Sequence, residues 1–207
     1  MTLPVACIVD LGSNAIRFLA ACPDQHGHLK VLHRDRSPIR IGEAVFSTGK
    51  VGDETQRIID AIRHFQNLGM NLTKELINPK TCWRAVATSA FRDADDRDEV
   101  IQSVQAKTQI EINILSGEQE AKWALQSVTA ARPLPRAFLV ADLGGGSLEL
   151  ILGHDDQMLR CSSFQLGAVR WQHALDSDRP ELLAQIHHEQ DRLRSFIGNH
   201  KALTCIG

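Results

Sequence analysis

Asp142, Gly144, Gly145, Gly146, Ser147 and Glu149 stand close together in AFLVADLGGGSLELILG, Ala137 to Gly153. Their types suit phosphate and metal chemistry. Consecutive glycines expose backbone N–H groups with no side chain in the way, so a phosphate can approach closely. An ionised carboxylate beside an apolar strand is costly unless it is paired or bound to a metal. The stretch therefore reads as acid, phosphate cradle, second acid. A competing reading is a tight hairpin whose glycines only turn the chain, with Asp142 as a turn residue. For an isolated glycine triplet the hairpin reading is the stronger. The flanking acids and an echo near the N-terminus favour the first.

That echo is Asp10, Leu11, Gly12, Ser13 and Asn14, set between the apolar runs Val5 to Val9 and Ala15 to Ala21. Ser13 and Asn14 offer a hydroxyl and an amide to phosphate oxygens, or cap the turn. Thr88 and Ser89, at the end of a strand over Trp83 to Ala87 and followed by Arg92, form another candidate anion turn or a helix cap. Glu118 and Glu120 lie just after Ser116. There they suit the first turn of a helix capped by Ser116 and Gln119, or supply a general base if one points into a cleft.

The elements that must hold these residues follow from hydrophobic periodicity. Ala137 to Ala141 is an unalternating apolar run, as expected of a strand buried on both faces. Leu29 to His33, Ile110 to Leu115, Met158 to Phe164 and Ala202 to Ile206 read as further strands. Asp53 to Leu68 is an amphipathic helix with Asp53 as N-cap and Gly69 as its stop. Other helices span Asp98 to Thr108, Ser116 to about Thr129, and Arg179 to Gly198 with Asp178 as N-cap. Leu72 to Ile77 and a loop at Pro79 separate helix from strand. Arg34 to Val51 reads as a loop, with Arg34, Arg36 and Arg40 able to border an anion site. His187 and His188 complete no metal-ligand spacing and read as surface residues. Ala130 to Arg136, with Pro133 and Pro135, is the candidate boundary between lobes 1–131 and 132–207.

The chain has 207 residues, 43% hydrophobic and 23% charged, with a formal net charge of −2. This composition argues against disorder and carries no electrostatic footprint for nucleic acid or an anionic membrane. The five cysteines are scattered without pairing motifs, as expected of a reducing, cytoplasmic setting. Neither a signal peptide nor a bilayer-spanning run is evident.

Five motifs, in order, resemble the exopolyphosphatase / guanosine pentaphosphate phosphohydrolase family: VDLGSNAIR from Val9, VATSAFRDA from Val86, ILSGEQEA from Ile114, DLGGGSLEL from Asp142 and QLGAVR from Gln165. The resemblance implies an α/β fold of two duplicated actin-like ATPase lobes around a cleft. It implies removal of a terminal phosphate from polyphosphate, or from guanosine pentaphosphate, with Mg2+ or another divalent cation. Glu120 then matches the catalytic glutamate, and lies across the cleft from the second turn. Asp142 and Glu149 match acids that hold the metal or position water. Asp10 joins them as a metal acid and, with Gly12, Ser13 and Asn14, matches the first phosphate loop. Gly144, Gly145, Gly146 and Ser147 match the second loop, and Arg92 a basic residue facing phosphate. Arg17 falls where the family varies.

Ala15 and Leu148 depart from a common Ser and Thr, and neither removes a charge the chemistry needs, whereas Gln119 replaces a frequent Glu and leaves Glu120 as the only acid of that pair. The family continues beyond the last strand, so the second lobe is expected to be incomplete at Gly207. The expected partners are polyphosphate or a guanosine penta- or tetraphosphate. No nucleic acid or membrane is expected, and a homodimer is the candidate assembly. A non-catalytic sensor of these ligands and a sugar-kinase-like ATPase are the competing functions.

Overall fold

The structure is a computed structural model. It describes residues 4–74, 81–155, 157–176, 180–198 and 205–206. The chain divides into two compact units, Met1–Ile114 and Leu115–Gly207.

In the first unit, strands β1 (Val5–Leu11), β2 (Ile16–Pro23) and β3 (Leu29–Ser37) precede helices α1 (Ile41–Thr48) and α2 (Glu54–Thr73). Strand β4 (Thr81–Ala87), helices α3 (Ser89–Asp93) and α4 (Arg97–Thr108), and strand β5 (Ile112–Ile114) follow. The sheet order is β3-β2-β1-β4-β5, antiparallel across β1–β2 and β2–β3 and parallel across β1–β4 and β4–β5. Val5, Cys7, Val9 and Leu11 alternate toward the core, where they share a cluster with Ile58, Ile59, Ile62 and Phe65 of α2 and Val100 and Val104 of α4. Burial of each large side chain there is worth about 1.5–3 kcal/mol.

The second unit runs α5 (Gly117–Ala131), β6 (Ala137–Leu143), β7 (Leu148–His154), β8 (Gln157–Phe164), α6 (Ala168–Asp176), α7 (Pro180–Ile197) and β9 (Cys205–Ile206). Its sheet order, β8-β7-β6-β9, repeats the first four positions of the other sheet with the same strand directions. Both faces are covered. Leu139, Leu150, Leu152 and Phe164 pack beneath α6 and α7, and Phe138, Val140 and Ile151 beneath Ala121, Leu125 and Val128 of α5.

Several expectations change. Helix α5 packs on β6, β7 and β8, so it groups with the second unit and the division falls before it. Ala130 to Arg136 is then only the link from α5 to β6. Gly69 does not stop α2. It lies inside the helix, where an added Cβ would come 2.7 Å from the Trp83 ring and 3.3 Å from Cys7 Sγ. Asp53 makes no side-chain cap. The stretch read as a loop from Arg34 contains the rest of β3 and all of α1, because Ile41 and Val45 bury one face of a short helix. The cap expected at Asp178, the loop at Pro79, and most of Leu72 to Ile77 and Ala202 to Ile206 lie outside the described residues.

Candidate active site

The second hairpin holds its acids in direct register. Asp142 on β6 is the cross-strand partner of Glu149 on β7. Cross-strand partners project from the same face of a sheet, and like charges there repel. Asp142 is exposed. Glu149 is only 2% exposed and accepts a hydrogen bond from the Ser163 hydroxyl of β8 at 2.7 Å. The first hairpin has the same register with a different pair: Asp10 faces Arg17, and their side chains meet at 3.4 Å. One hairpin neutralises its acid internally and the other stacks two acids.

The glycine turn between them is held from below. The backbone N–H groups of Ala168, Val169 and Arg170, at the start of α6, donate to the carbonyls of Gly144 (3.0 Å) and Gly145 (2.7 and 3.1 Å). Arg170 Nε donates to the Gly146 carbonyl at 2.8 Å. A Cβ on Gly167 would overlap the backbone of Gly145 and Gly146. Gly146 and Ser147 are accordingly buried, and the accessible arc of the turn runs from Asp142 to Gly145. With its carbonyl held by α6, Gly145 presents its N–H at the accessible arc, whereas the Gly144 N–H closes the turn onto the Ser147 carbonyl. The glycines thus serve close packing against Gly167 and α6.

The first turn is built alike. Gly12 N–H donates to the Ala15 carbonyl (3.1 Å), as Gly144 N–H does to Ser147 (2.9 Å). Gly42 of α1 donates to the Ser13 carbonyl at 2.8 Å, and a Cβ on it would lie 2.8 Å from Ser13 Cβ. Ser13, 3% exposed, hydrogen-bonds Ser89 across 3.0 Å, and Ser89 is 4% exposed. Thr88 makes no side-chain cap. The two anion turns of the first unit are therefore joined, and Ser89 serves the join. Asn14 and Arg92 are half-buried beside them. Arg34 and Arg36 line a groove of about 630 Å3 with Ile8, Asp10, Arg17 and Leu19 on the sheet face away from α2 and α4. Arg40 instead pairs with Glu43 at 2.6 Å.

Glu120 is half-buried in the first turn of α5, on the helix that covers the sheet face of Asp142, Glu149 and Ser163. The expected capping box at Ser116 and Gln119 is present, so Gln119 is occupied. Glu118 pairs with Lys122 at 2.7 Å, which lowers its carboxyl pKa through that hydrogen bond and the ammonium charge. Glu120 thus belongs to the same unit as Asp142 and Glu149, not to an opposing lobe.

Among the described residues no group of three or more His, Cys, Asp or Glu could hold a metal. The pair Asp142 and Glu149 still fits Mg2+, which is held by one or two carboxylates and completes its shell with water and substrate phosphate. Asp10 has a guanidinium where that pair has its second acid. Sequence reading missed Ser163, Gly42, the bond of Ser89 to Ser13 and the turn-holding role of Gly167 and Arg170. The available signal was a glycine at the entry to a helix in each unit, Gly42 as the second residue of α1 and Gly167 directly before α6.

A family model described as the Ppx/GppA phosphatase family matches residues 22–204. The chain belongs to the Ppx/GppA phosphatase family. It is 30% identical over 171 residues to exopolyphosphatase 1 of Mycobacterium tuberculosis, covering 79% of this chain and 46% of that protein. The chain thus spans about half the length of the curated relatives it matches. A crystal structure of an exopolyphosphatase-like protein aligns over 100% of this chain and 66% of its own, with 28% identity and a TM-score of 0.81. An exopolyphosphatase from Cytophaga hutchinsonii aligns over 98% and 66% at 21% identity, with a TM-score of 0.80, and shares the fold. The expected class, duplicated α/β units of actin-like ATPase type, is the one observed. Among the described residues no helix is long and apolar enough to cross a membrane.

Proposed function

We propose that this chain carries the hydrolytic site of a phosphoanhydride hydrolase that removes the terminal phosphate of inorganic polyphosphate. The observation that carries the reading is the cross-strand pair Asp142 and Glu149 beside an α6-held glycine turn, in the unit that also bears Glu120. Two facing acids invite a divalent cation. The cation, when bound, neutralises charge on the transferring phosphoryl. The N–H group of Gly145 holds a phosphate oxygen, with Gly144, Gly146 and Ser147 shaping the turn, the Gly144 N–H closing it onto the Ser147 carbonyl. Glu120 orients the attacking water and accepts its proton. Ser13, Asn14 and Arg92 are the candidate phosphate groups of the first unit, where Asp10, the acid of that hairpin, is already paired with Arg17. Cys7, Cys22, Cys82 and Cys161 are free thiols, which supports a cytoplasmic setting.

The test is phosphate release from polyphosphate by the chain with Mg2+, compared with Glu120→Gln. Turnover should fall by about 100-fold or more. Near wild-type turnover would remove Glu120 from the role of base. Guanosine pentaphosphate shares the chemistry of the terminal anhydride, and side-by-side turnover ranks the two substrates. Calorimetric binding of either without phosphate release would make the chain a sensor.

A further inference from the structure

We infer that Ser163 is a positioning residue for the acid pair, and that Gly117 exists to let it act. The inference rests on the hydrolase reading above. Ser163 lies on β8 as the cross-strand partner of Glu149, so its side chain emerges on the face that α5 covers. Its hydroxyl donates to Glu149 Oε1 at 2.7 Å, a well-formed O–H···O hydrogen bond. Glu149 is 2% exposed, so its carboxylate depends on protein donors where water is excluded.

The same serine is the floor on which the first turn of α5 rests. A Cβ on Gly117 would overlap Ser163 Cβ and lie 2.7 Å from Ser163 Oγ. Gly117 opens the helix directly after the Ser116 cap, where a glycine adds nothing to helix stability. Close approach to Ser163 is what the glycine provides. Ser163 therefore touches both sides of the proposed site: the Glu149 carboxylate by a hydrogen bond, and the turn that begins Glu120's helix by backbone packing. It sets the carboxylate's direction and the depth at which α5 sits over it. Outer partners of metal-binding carboxylates that act in this way typically change affinity or activity 10- to 100-fold when removed.

The test is a cycle of Ser163→Ala, Glu149→Gln and the double variant in the full chain. It is read on Mg2+ binding by calorimetry and on kcat and KM for phosphate release. Ser163→Ala should weaken Mg2+ by about 10-fold or more and lower kcat with little change in KM. In the Glu149→Gln background it should have no further effect. Ser163→Cys, with its weak S–H donor, should recover part of the loss. Gly117→Ala, which retains the serine but forces it and the first turn of α5 apart, should also lower kcat. Wild-type behaviour of Ser163→Ala, or losses that multiply with Glu149→Gln, overturns the positioning role while leaving the hydrolase reading intact. A wild-type chain that neither binds Mg2+ nor releases phosphate overturns both.

Discussion

The two hairpins share a backbone and differ in charge. Each joins two antiparallel strands through Asp-Leu-Gly, and each closes with a glycine N–H bonded to the carbonyl three residues on. Each also rests on the start of the helix that follows the third strand, through Gly42 in one unit and Gly167 and Ala168 in the other. At the position where the first hairpin has Arg17, the second has Glu149. Arg17 is largely solvent-exposed, so its pair with Asp10 is a weak, screened contact. Glu149 is buried and held by Ser163. One scaffold thus sets an acid opposite a guanidinium in one copy and an acid opposite a second acid in the other. Duplication supplies the geometry, and one cross-strand position sets the charge of each pair.

The sharpest way to break this comparison is to treat the two positions alike. Glu149→Gln should reduce phosphate release by about two orders of magnitude, and Arg17→Gln by no more than a few-fold. Equal losses in a steady-state assay would mean that the hairpins are not specialised as their charges indicate. Because Glu149 is buried, Asp142→Asn, at an exposed position, provides the parallel measurement without disturbing the core.

A smaller effect concerns the shared support. Gly167→Ala should cost about 1–3 kcal/mol in urea unfolding, because the added methyl meets rigid backbone. Gly42→Ala should cost less, since part of what it meets is the Phe46 ring, at 2.9 Å. The reverse order would show that the first turn is the more rigid.

The smallest effect separates the units by pH. Burial, with a contribution from Cys82, raises the Cys7 thiol from 9.0 to about 11. Above pH 9.0 the unfolded chain loses this proton before the folded one does. The unfolded state then binds fewer protons, and stability falls as pH rises toward about 11. The loss should appear in fluorescence from Trp83 of the first unit before that of Trp123 and Trp171 of the second. Cys7→Ala should abolish the lag. Simultaneous change in all three would mean that the units unfold together.

Much of this was legible beforehand because local rules agreed with the fold. The capping box at Ser116 and Gln119 and the apolar face of α2 need only neighbours in sequence, and both appear as read. The misreadings share a different cause. Gly69 looked like a helix stop, yet it is small because Trp83 from another strand lies against it. Ser89 read as either an anion-turn residue or a cap, and neither reading anticipated its bond to Ser13, 76 residues away. Glu120 was assigned to the opposite lobe because the prolines after α5 resemble a linker, whereas α5 covers a sheet that follows it in sequence.

By itself the sequence determined the chemical inventory of this protein: the acids, the glycine turns, the order of the motifs and their echo at two positions. These depend on residue type and spacing, and local physics reads both. Tertiary structure alone decided which residues face one another. Register set Asp142 opposite Glu149 and Asp10 opposite Arg17, and packing placed Ser163 between Glu149 and the start of α5. Strand pairing and close approach join residues far apart in sequence, and no local pattern specifies them.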